Sequence, residues 1–317
     1  MTERIDPSTI KLADRVRPYV AARSLNKGEA DQYRYALNKL EKFLGRPATL
    51  ADLNAPTLNE WLLSLQEGGL APKTVKNNRG RILALWNDAL DEGVIDNEPR
   101  RLRKVKIPRW IPTCWSPEEV ARLLAVAQKV PGRFLKSRVV KSAFWEAFVL
   151  FEWDTALRLG DVRMVETATV RGQSTFRIVQ SKTDDIVVCQ LRPETLAAIE
   201  ATFPPKRKRV FGSALSHQRT LKGFGQIIEA AGLSRETGTT RMLRKSSATA
   251  VEALHPGAAM RHLGHRTPGL AYKHYVDPRF ISEAKPIAPA LPGMAATADD
   301  EVYDCLFDDG QEGGPSA

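Results

Sequence analysis

Apolar residues recur at intervals of three and four positions through the first hundred residues, which predicts helices separated by short polar turns. One such face lies in the segment EADQYRYALNKLEKFLG, and Gly45 follows it where a helix would end. The apolar residues of that face are Tyr33, Leu37, Leu40 and Leu44. A second helix is predicted in TLNEWLLSLQ, with Thr57 as its N-cap and Glu60 as the capping-box partner of Thr57.

A third predicted helix, in TVKNNRGRILALWNDALDEG, has two contrasting sides and ends at Gly93. The apolar side carries Val75, Ile82, Leu85, Trp86, Ala89 and Leu90. The polar side carries Lys73, Lys76, Asn77, Asn78, Arg79 and Arg81. The first side can pack into a core while the second meets phosphates. An ordinary solvated helix has the same pattern, so this segment alone leaves both interpretations open.

A domain boundary is predicted where this periodicity stops. Residues 98–115 combine prolines with many Lys and Arg and follow neither a helical nor a strand period, which indicates an extended basic linker. Its Arg101, Arg103 and Lys104 are candidate contacts to nucleic acid. Regular structure then resumes at SPEEVARLLAVA, where Ser116 is the predicted N-cap and Glu119 closes the capping box.

The pattern after the linker is mixed. SAFWEAFVLFEWDTA predicts a long apolar helix, and STFRIVQSKTDDIVVCQL predicts two Ile/Val-rich strands around a polar turn that holds Lys182. Helical periodicity returns in TLKGFGQIIEAAGL and RMLRKSSATAVEAL. We therefore predict a mainly α fold with a small β-hairpin, an α+β architecture, with one helical domain at 1–97 and a second domain at 116–285.

Residues 286–317 differ from the rest in composition. This segment is rich in Pro, Ala and Gly and contains the acidic run DDEVYDCLFDDG, which is typical of a disordered tail. An alternative is a short amphipathic helix that docks on another surface. Its apolar residues would be Val302, Tyr303, Leu306 and Phe307.

The charge distribution adds an expectation about partners. The formal net charge is +10, but the tail holds seven acidic residues and no Lys or Arg, so residues 1–285 carry +17. Such a charge is typical of a protein that binds nucleic acid, although a basic protein with a solvated surface shows it too. Cys114, Cys189 and Cys305 lie far apart without C-x-x-C spacing and indicate reduced thiols, not a disulfide framework or zinc site.

The sequence also bears on localisation. No run approaches the roughly 18 to 20 apolar residues needed to span a bilayer. The N-terminal segment lacks the charged and then apolar build of a signal peptide, so we expect a cytoplasmic protein without membrane attachment.

Cleavage of a nucleic-acid backbone without a metal ion requires three kinds of side chain. Fixed positive charge must hold the non-bridging oxygens, a nucleophile must be positioned, and an acid must protonate the leaving oxygen. Arginine suits the first task because its planar fork stays charged, lysine can be the acid, and tyrosine can be the nucleophile. The chain offers, in this order, Arg158, Lys182, Arg241, Arg244, His265 and Tyr275.

The order and spacing of these residues resemble the tyrosine recombinase (phage integrase) family over residues 8 to 280. The segments ALRLGD, SKTDD, RMLRKSSAT, LGH and YKHY carry the resemblance. It implies that Arg158 and Arg244 are the two arginines of the family and that Lys182 is its β-hairpin lysine. It also implies that His265 occupies the H/W position and that Tyr275 is the nucleophile.

The sequence departs from the family pattern at one site position. Arg241 stands where the family usually has histidine, and an arginine cannot accept a proton at neutral pH. Arg241 can still help to hold phosphate oxygens, and His265 would donate a hydrogen bond to the same phosphate. Tyr272 is interpreted as a packing residue and His274 as local support, without catalytic roles. A protein that binds DNA without cutting it remains an alternative.

The resemblance also implies a mechanism. Two transesterifications would cut and rejoin DNA through a 3′-phosphotyrosine bond to Tyr275, with Lys182 as the general acid. Because the bond energy is kept in the protein linkage, neither a metal ion nor a cofactor is expected. Asp161 would occupy the structural acidic position beside the first arginine.

The expected partner is double-stranded DNA, held between a helical core-binding domain and the catalytic domain. The resemblance implies a homotetramer on paired sites, with accessory DNA-bending proteins as possible partners, in the DNA recombination or integration of a mobile element. We expect the two-domain form of the family and not one with an additional arm-site DNA-binding domain. A topoisomerase-like enzyme would use the same chemistry and is a further alternative.

Overall fold

The computed structural model describes residues 6–108, 110–203, 207–235 and 239–281. The chain divides into two compact units, Met1–Trp110 and Ile111–Ala317. The division falls within the predicted linker 98–115. The described residues are mostly helical, with one two-stranded antiparallel sheet, so the predicted fold class is confirmed. The acidic tail and its predicted disorder or amphipathic helix lie outside the described residues.

The first unit is built from four α-helices and one short 3-10 helix at Leu50–Asp52. The α-helices are α1 (Leu12–Ala22), α2 (Lys27–Leu44), α3 (Ala55–Glu67) and α4 (Pro72–Asp91). Apolar faces of all four helices meet in one core, in which Trp61 and Trp86 are the largest buried side chains. Helix α2 ends as predicted, with Gly45 in the left-handed conformation at a φ of 70°.

Two predictions for this unit are wrong. Helix α3 does not begin at Thr57, because Asn54 is its N-cap and accepts a hydrogen bond from the backbone N–H of Thr57. Asn78 does not belong to the exposed face of α4. It is buried, since it lies three residues after Val75 and four before Ile82 on the same face, and its Nδ2 donates to the Thr74 carbonyl.

The predicted linker contributes side chains to both cores. Leu102 and Val105 are buried in the core of the first unit. Cys114 and Trp115 are buried in the core of the second unit. The apolar residues interspersed among the basic ones therefore anchor each end of this segment to the unit that it adjoins.

The second unit holds the remaining helices and the sheet. Its α-helices are α5 (Pro117–Ala127), α6 (Lys141–Thr155), α7 (Leu159–Val162), α8 (Thr167–Val170), α9 (Pro193–Thr202), α10 (His217–Ala230), α11 (Thr240–Leu254), α12 (Ala259–Leu263) and α13 (Pro268–His274). Strands β1 (Thr175–Val179) and β2 (Ile186–Gln190) form the predicted hairpin, with Phe176 opposite Cys189. A 3-10 helix at Pro278–Phe280 follows α13. The predicted capping box of Ser116 and Glu119 begins α5.

Helix α6 is the centre of this unit. Phe144, Trp145, Phe148 and Phe151 are buried and pack against other aromatic rings mainly edge to face. Because α6 is enclosed in this way, the chain that leaves its C-terminal end starts from a fixed position. In the part of the chain that the structure describes, no helix is long and apolar enough to cross a bilayer.

Candidate active site

Arg158 lies in the turn between α6 and α7. Ala156 ends α6 with a φ of 45°, in the left-handed region that costs a non-glycine residue about 1 kcal/mol or more. This conformation turns the chain so that Arg158 directly precedes α7. The Ala156 carbonyl then points toward α11, where Arg244 donates to it.

Arg244 is the most enclosed of the candidate site residues, with a relative exposure of 2%. Its guanidinium donates to the carbonyls of Ala156 and Leu263, the latter at 3.0 Å, and its Nη2 lies 3.5 Å from Nε2 of His265. Burial lowers the pKa of Arg244 to about 10, which leaves the side chain charged at neutral pH. A fixed positive charge of this kind is suited to binding an anion.

Gln180, which the sequence did not single out, joins the two arginines. It is fully buried directly after β1, at the start of the connection to β2, accepts from Arg158 Nη1 at 2.7 Å, and donates to the Leu263 carbonyl at 3.2 Å. Arg244 donates to the same carbonyl. The Leu263 carbonyl, at the end of α12, therefore joins the hairpin to α11.

His265 depends on the glycine that precedes it. Gly264 has a φ of 62°, and a Cβ there would lie 2.4 Å from Val187 Cγ2 and 2.8 Å from Gln180 Nε2. Burial, with the charges of Arg244 and Arg158 next, lowers the pKa of His265 to about 4. The imidazole is therefore neutral at pH 7.

Tyr275 follows directly on α13 and is half-buried. Its ring centroid lies 5.0 Å from that of His265 in an edge arrangement and 5.1 Å from the guanidinium carbon of Arg244. Its backbone is fixed at both ends, because its N–H donates to Ala271 at 2.8 Å and its carbonyl accepts from Thr249 Oγ1 at 3.3 Å. Arg244, His265 and Tyr275 thus form one cluster, and Arg158 lies beside it.

Tyr272 has a different environment. The residue is 46% exposed, and its hydroxyl donates to the buried carboxylate of Glu252, so a structural hydrogen bond holds Tyr272 in addition to packing. Glu252 also accepts from the backbone N–H groups of Gly257 and Ala259. Burial opposes ionisation of Glu252, but these three hydrogen bonds outweigh it and lower its pKa. His274 is exposed, and its charge helps to lower the pKa of His265.

Lys182 is not brought into contact with the cluster. It is exposed in the hairpin turn and forms no hydrogen bond or ion pair with any residue that the structure describes. The turn itself is held by buried Asp161, whose Oδ1 accepts from the N–H of Ser181 at 2.9 Å and from its hydroxyl at 2.7 Å. Asp161 Oδ2 lies 4.0 Å from Arg158 Nη1, so one carboxylate orients both the turn and the first arginine.

Arg241 also lies outside the cluster. It occupies the first turn of α11 and is exposed, and its N–H donates to the hydroxyl of Thr239 at 3.3 Å. Its charge, after burial, lowers the pKa of Lys245 on the following turn.

The sequence analysis also did not single out the buried carboxylate of Glu152 in α6. Glu152 lies one helical turn before Ala156 in α6, is fully buried, and neither of its carboxylate oxygens has a hydrogen-bond partner among the described residues. Burial raises the pKa of Glu152 well above its usual value, although the charge of Arg244 opposes this. The available signal was an acidic residue flanked by Phe151 and Trp153 within a predicted apolar helix.

The candidate DNA-contacting residues of the first unit occupy two environments. The exposed ones are Lys73, Lys76, Asn77, Arg101, Arg103 and Lys104, whereas Arg79 and Arg81 are half-buried. Arg79 Nε donates to the Arg103 carbonyl at 2.8 Å, and Asn59 accepts from the N–H of Arg103 at 2.7 Å. Arg79 therefore holds the linker at Arg103 against α4 and also adds positive charge.

Comparisons with known proteins agree with this architecture. Residues 12–107 match the family described as the phage integrase SAM-like domain. A lambda integrase dimer bound to a COC′ core site has a TM-score of 0.69 and 17% identity, over 90% of this chain and 85% of that one. The XerH site-specific recombinase bound to a palindromic difH substrate has a TM-score of 0.64 and 22% identity, over 84% and 82%. No curated protein matches the sequence.

A third similar structure is the Tn1549 transposon integrase in complex with transposon right end DNA. It has a TM-score of 0.65 and 14% identity, over 94% of this chain and 99% of that one. The chain therefore has the fold of tyrosine recombinases and integrases, and the resemblance predicted from the sequence is confirmed at the level of the fold.

Proposed function

We propose that this chain is a site-specific DNA recombinase or integrase that cuts and rejoins DNA through a 3′-phosphotyrosine bond to Tyr275. The observation that carries the proposal is the cluster of Arg244, His265 and Tyr275, with Arg158 joined to it through Gln180. Neither arginine donates a hydrogen bond to a carboxylate of the described residues, and two such arginines beside a tyrosine form a site for an anion and a nucleophile together.

The proposed reaction is an in-line displacement at phosphorus. The phenolic oxygen of Tyr275, whose proton passes to water, forms a bond to the scissile phosphate, the bond to the 5′ oxygen breaks, and a proton from Lys182 produces a free 5′-hydroxyl. Arg158 and Arg244 would hold the non-bridging oxygens, and neutral His265 would donate a hydrogen bond to one of them. Rejoining is the reverse attack by a 5′-hydroxyl of the partner strand.

Lys182 would reach the phosphate from the hairpin turn, which Asp161 anchors through Ser181. Arg241, on the exposed first turn of α11, would add positive charge for a DNA oxygen next to the site. Its exposure supports a role in binding and gives no reason to expect that it blocks Tyr275.

The basic surface of the first unit would supply much of the affinity for duplex DNA. Each phosphate that Lys or Arg neutralises adds about 0.9 to the slope of log affinity against log salt concentration, so binding should weaken steeply with salt. Lys73, Lys76 and Asn77 lie on the exposed side of α4, which suits contact with a backbone.

Assembly on paired sites is part of the proposal. A lambda integrase tetramer bound to a Holliday junction has a TM-score of 0.65 and 18% identity with this chain. By analogy, four copies of this chain would exchange strands between two DNA sites, with accessory DNA-bending proteins where the sites require bending.

The test uses DNA fragments from the ends of the genetic element that encodes the protein, nicked near candidate sites so that the cleaved strand diffuses away. The wild type should give a covalent protein–DNA band on denaturing gels, and Tyr275→Phe should give none while still shifting DNA on native gels. If the wild type shifts DNA but forms no adduct, a DNA-binding protein without cleavage replaces this proposal. Relaxation of supercoils without joining of two sites would favour a topoisomerase-like activity.

A further inference from the structure

A basic cleft lies in the second unit at the opposite end of α6 from Tyr275. It has a volume of about 1080 Å³ and is lined by the loop after α5, the first half of α6, residues 212–216 and α10. Its basic residues are Arg133, Lys136, Lys141, Arg163, Arg219 and Lys222. No Asp or Glu is among its described lining residues, and none of the six forms an ion pair within the described chain.

The floor of this basic cleft is apolar. Phe134 and Trp145 are in edge contact, with ring centroids 6.5 Å apart, and Leu135 is 88% exposed beside them. Helix α10 approaches Trp145 so closely that a Cβ on Gly223 would lie 2.6 Å from the indole. The Nε of Arg163 is buried without a hydrogen-bond partner among the described residues. The cleft thus combines unpaired positive charge with exposed apolar surface.

An acidic segment with apolar side chains fits such a cleft better than a DNA backbone does. A phosphodiester backbone would satisfy the charge, but it offers no apolar surface to half-buried Phe134 and exposed Leu135. The segment DDEVYDCLFDD at residues 299–309 offers both, since it has six acidic residues. Its apolar residues, Val302, Tyr303, Leu306 and Phe307, recur at the spacing of one helical face.

We propose that residues 299–309 of this chain bind in the basic cleft of their own second unit. The 17 residues between Ile281 and Asp299 can span about 55 to 60 Å when extended. A domain of this size has a radius of gyration of only about 15 Å, so the segment can reach any part of its surface. Because a tethered segment has an effective concentration in the millimolar range, binding within one chain dominates over binding to a second copy at micromolar concentration.

The native Cys305 lies in the middle of the proposed segment and provides the test. Cys114 and Cys189 are buried, and burial raises their pKa values to about 11 and 12, so their thiols react slowly. The full-length Leu135→Cys variant, without DNA, is exposed to a mild oxidant. Disulfide formation between position 135 and Cys305 is followed on non-reducing gels and identified by peptide mapping. Val188→Cys, which replaces an exposed apolar residue on β2, is the matched control.

The proposal predicts an intramolecular disulfide at position 135 that forms at least tenfold faster than at position 188, with the advantage lost in high salt. Adding Lys136→Glu and Lys222→Glu, or replacing Leu306 and Phe307 by Ser, should remove the same advantage. The two Lys→Glu substitutions alter only the cleft, and the two Ser substitutions alter only the tail segment.

Equal rates at positions 135 and 188 would overturn the proposal. So would disulfide-linked dimers in place of intramolecular products, because a second copy would then be the occupant. If the rates are equal and Lys222→Glu weakens DNA binding as much as Lys76→Glu does, the cleft binds DNA instead. Since no DNA is present in the disulfide experiment, its outcome is independent of whether Tyr275 cleaves DNA.

Discussion

The guanidinium carbon of Arg244 lies 5.1 Å from the ring centroid of Tyr275, within the distance of a cation–π contact. The same guanidinium donates to the carbonyls of Ala156 and Leu263, which belong to two other segments of the chain. One buried arginine therefore fixes the turn after α6, the end of α12 and the position of the candidate nucleophile.

Replacing this arginine should affect both stability and cleavage. Arg244→Ala removes the side-chain donor to the buried carbonyl of Ala156 and one of the two donors to that of Leu263, and we expect a loss of about 2 to 4 kcal/mol in the free energy of unfolding. Urea denaturation measures this loss. Arg241→Ala, on the exposed first turn of the same helix, is the control and should change stability by no more than about 0.5 kcal/mol. Similar losses for both variants would contradict the role given to Arg244.

Gly264 should tolerate no side chain. Gly264→Ala combines a left-handed backbone with a Cβ that would lie 2.4 Å from Val187 Cγ2. Gly45→Ala is the matched control, because Gly45 has a φ of 70° but no atom lies within 4 Å of the point that its Cβ would occupy. We expect Gly264→Ala to lose about 1 to 3 kcal/mol more than Gly45→Ala in urea denaturation. Equal losses would mean that the backbone conformation alone matters at Gly264.

Glu152 should make stability depend on pH. Because burial raises the folded-state pKa of Glu152, its contribution to stability is complete below about pH 4.5 and is lost as the pH rises through the folded pKa. Glu152→Gln keeps the shape and removes this titration. The variant should therefore be more stable than the wild type at pH 8, with the difference shrinking toward pH 4.5.

Urea denaturation at pH 5, 6.5 and 8 measures this difference for Glu152→Gln. The control is Glu60→Gln, at an exposed position of α3. If the free energy of unfolding of both variants changes with pH as that of the wild type does, Glu152 is ionised and paired in the folded protein. The account of its burial is then wrong.

His265 should stay neutral throughout the range of pH 5 to 8. Burial and the charges of Arg244 and Arg158 lower its pKa to about 4, so protonation begins only well below neutral pH. The ring signals of the five histidines can be followed by NMR from pH 3.5 to 8, with His265→Gln to assign its signal. A midpoint near 6.5 for His265 would contradict the described environment. Binding of a DNA phosphate should raise the midpoint.

The sequence predicted the parts of this architecture that local patterns determine. The capping box at Ser116, the apolar helix α6 and the hairpin around Lys182 each depend on residues within a few positions of one another. It did not predict the role of Gln180, because its partners Arg158 and Leu263 are distant in the chain. Such contacts are set by tertiary packing, and no periodicity along one segment reports them.

Local patterns also misassigned some residues. Thr57 and Asn54 are both good capping residues, and the choice between them depends on where the chain enters α3. Tyr272 and Tyr275 lie three residues apart, yet one hydroxyl binds Glu252 and the other ring meets Arg244, because α13 ends between them. Spacing alone could not separate these two environments.

The most direct test of the central claim identifies the residue that carries the nucleotide. Trypsin cleaves after Arg266, Lys273 and Arg279, so it places Tyr272 in TPGLAYK and Tyr275 in HYVDPR. The covalent complex with a nicked DNA substrate is digested with nuclease and trypsin and analysed by mass spectrometry. The account predicts a nucleotide mass on HYVDPR and an unmodified TPGLAYK. A nucleotide on TPGLAYK, or no modified peptide from a protein that binds the same DNA, would contradict it.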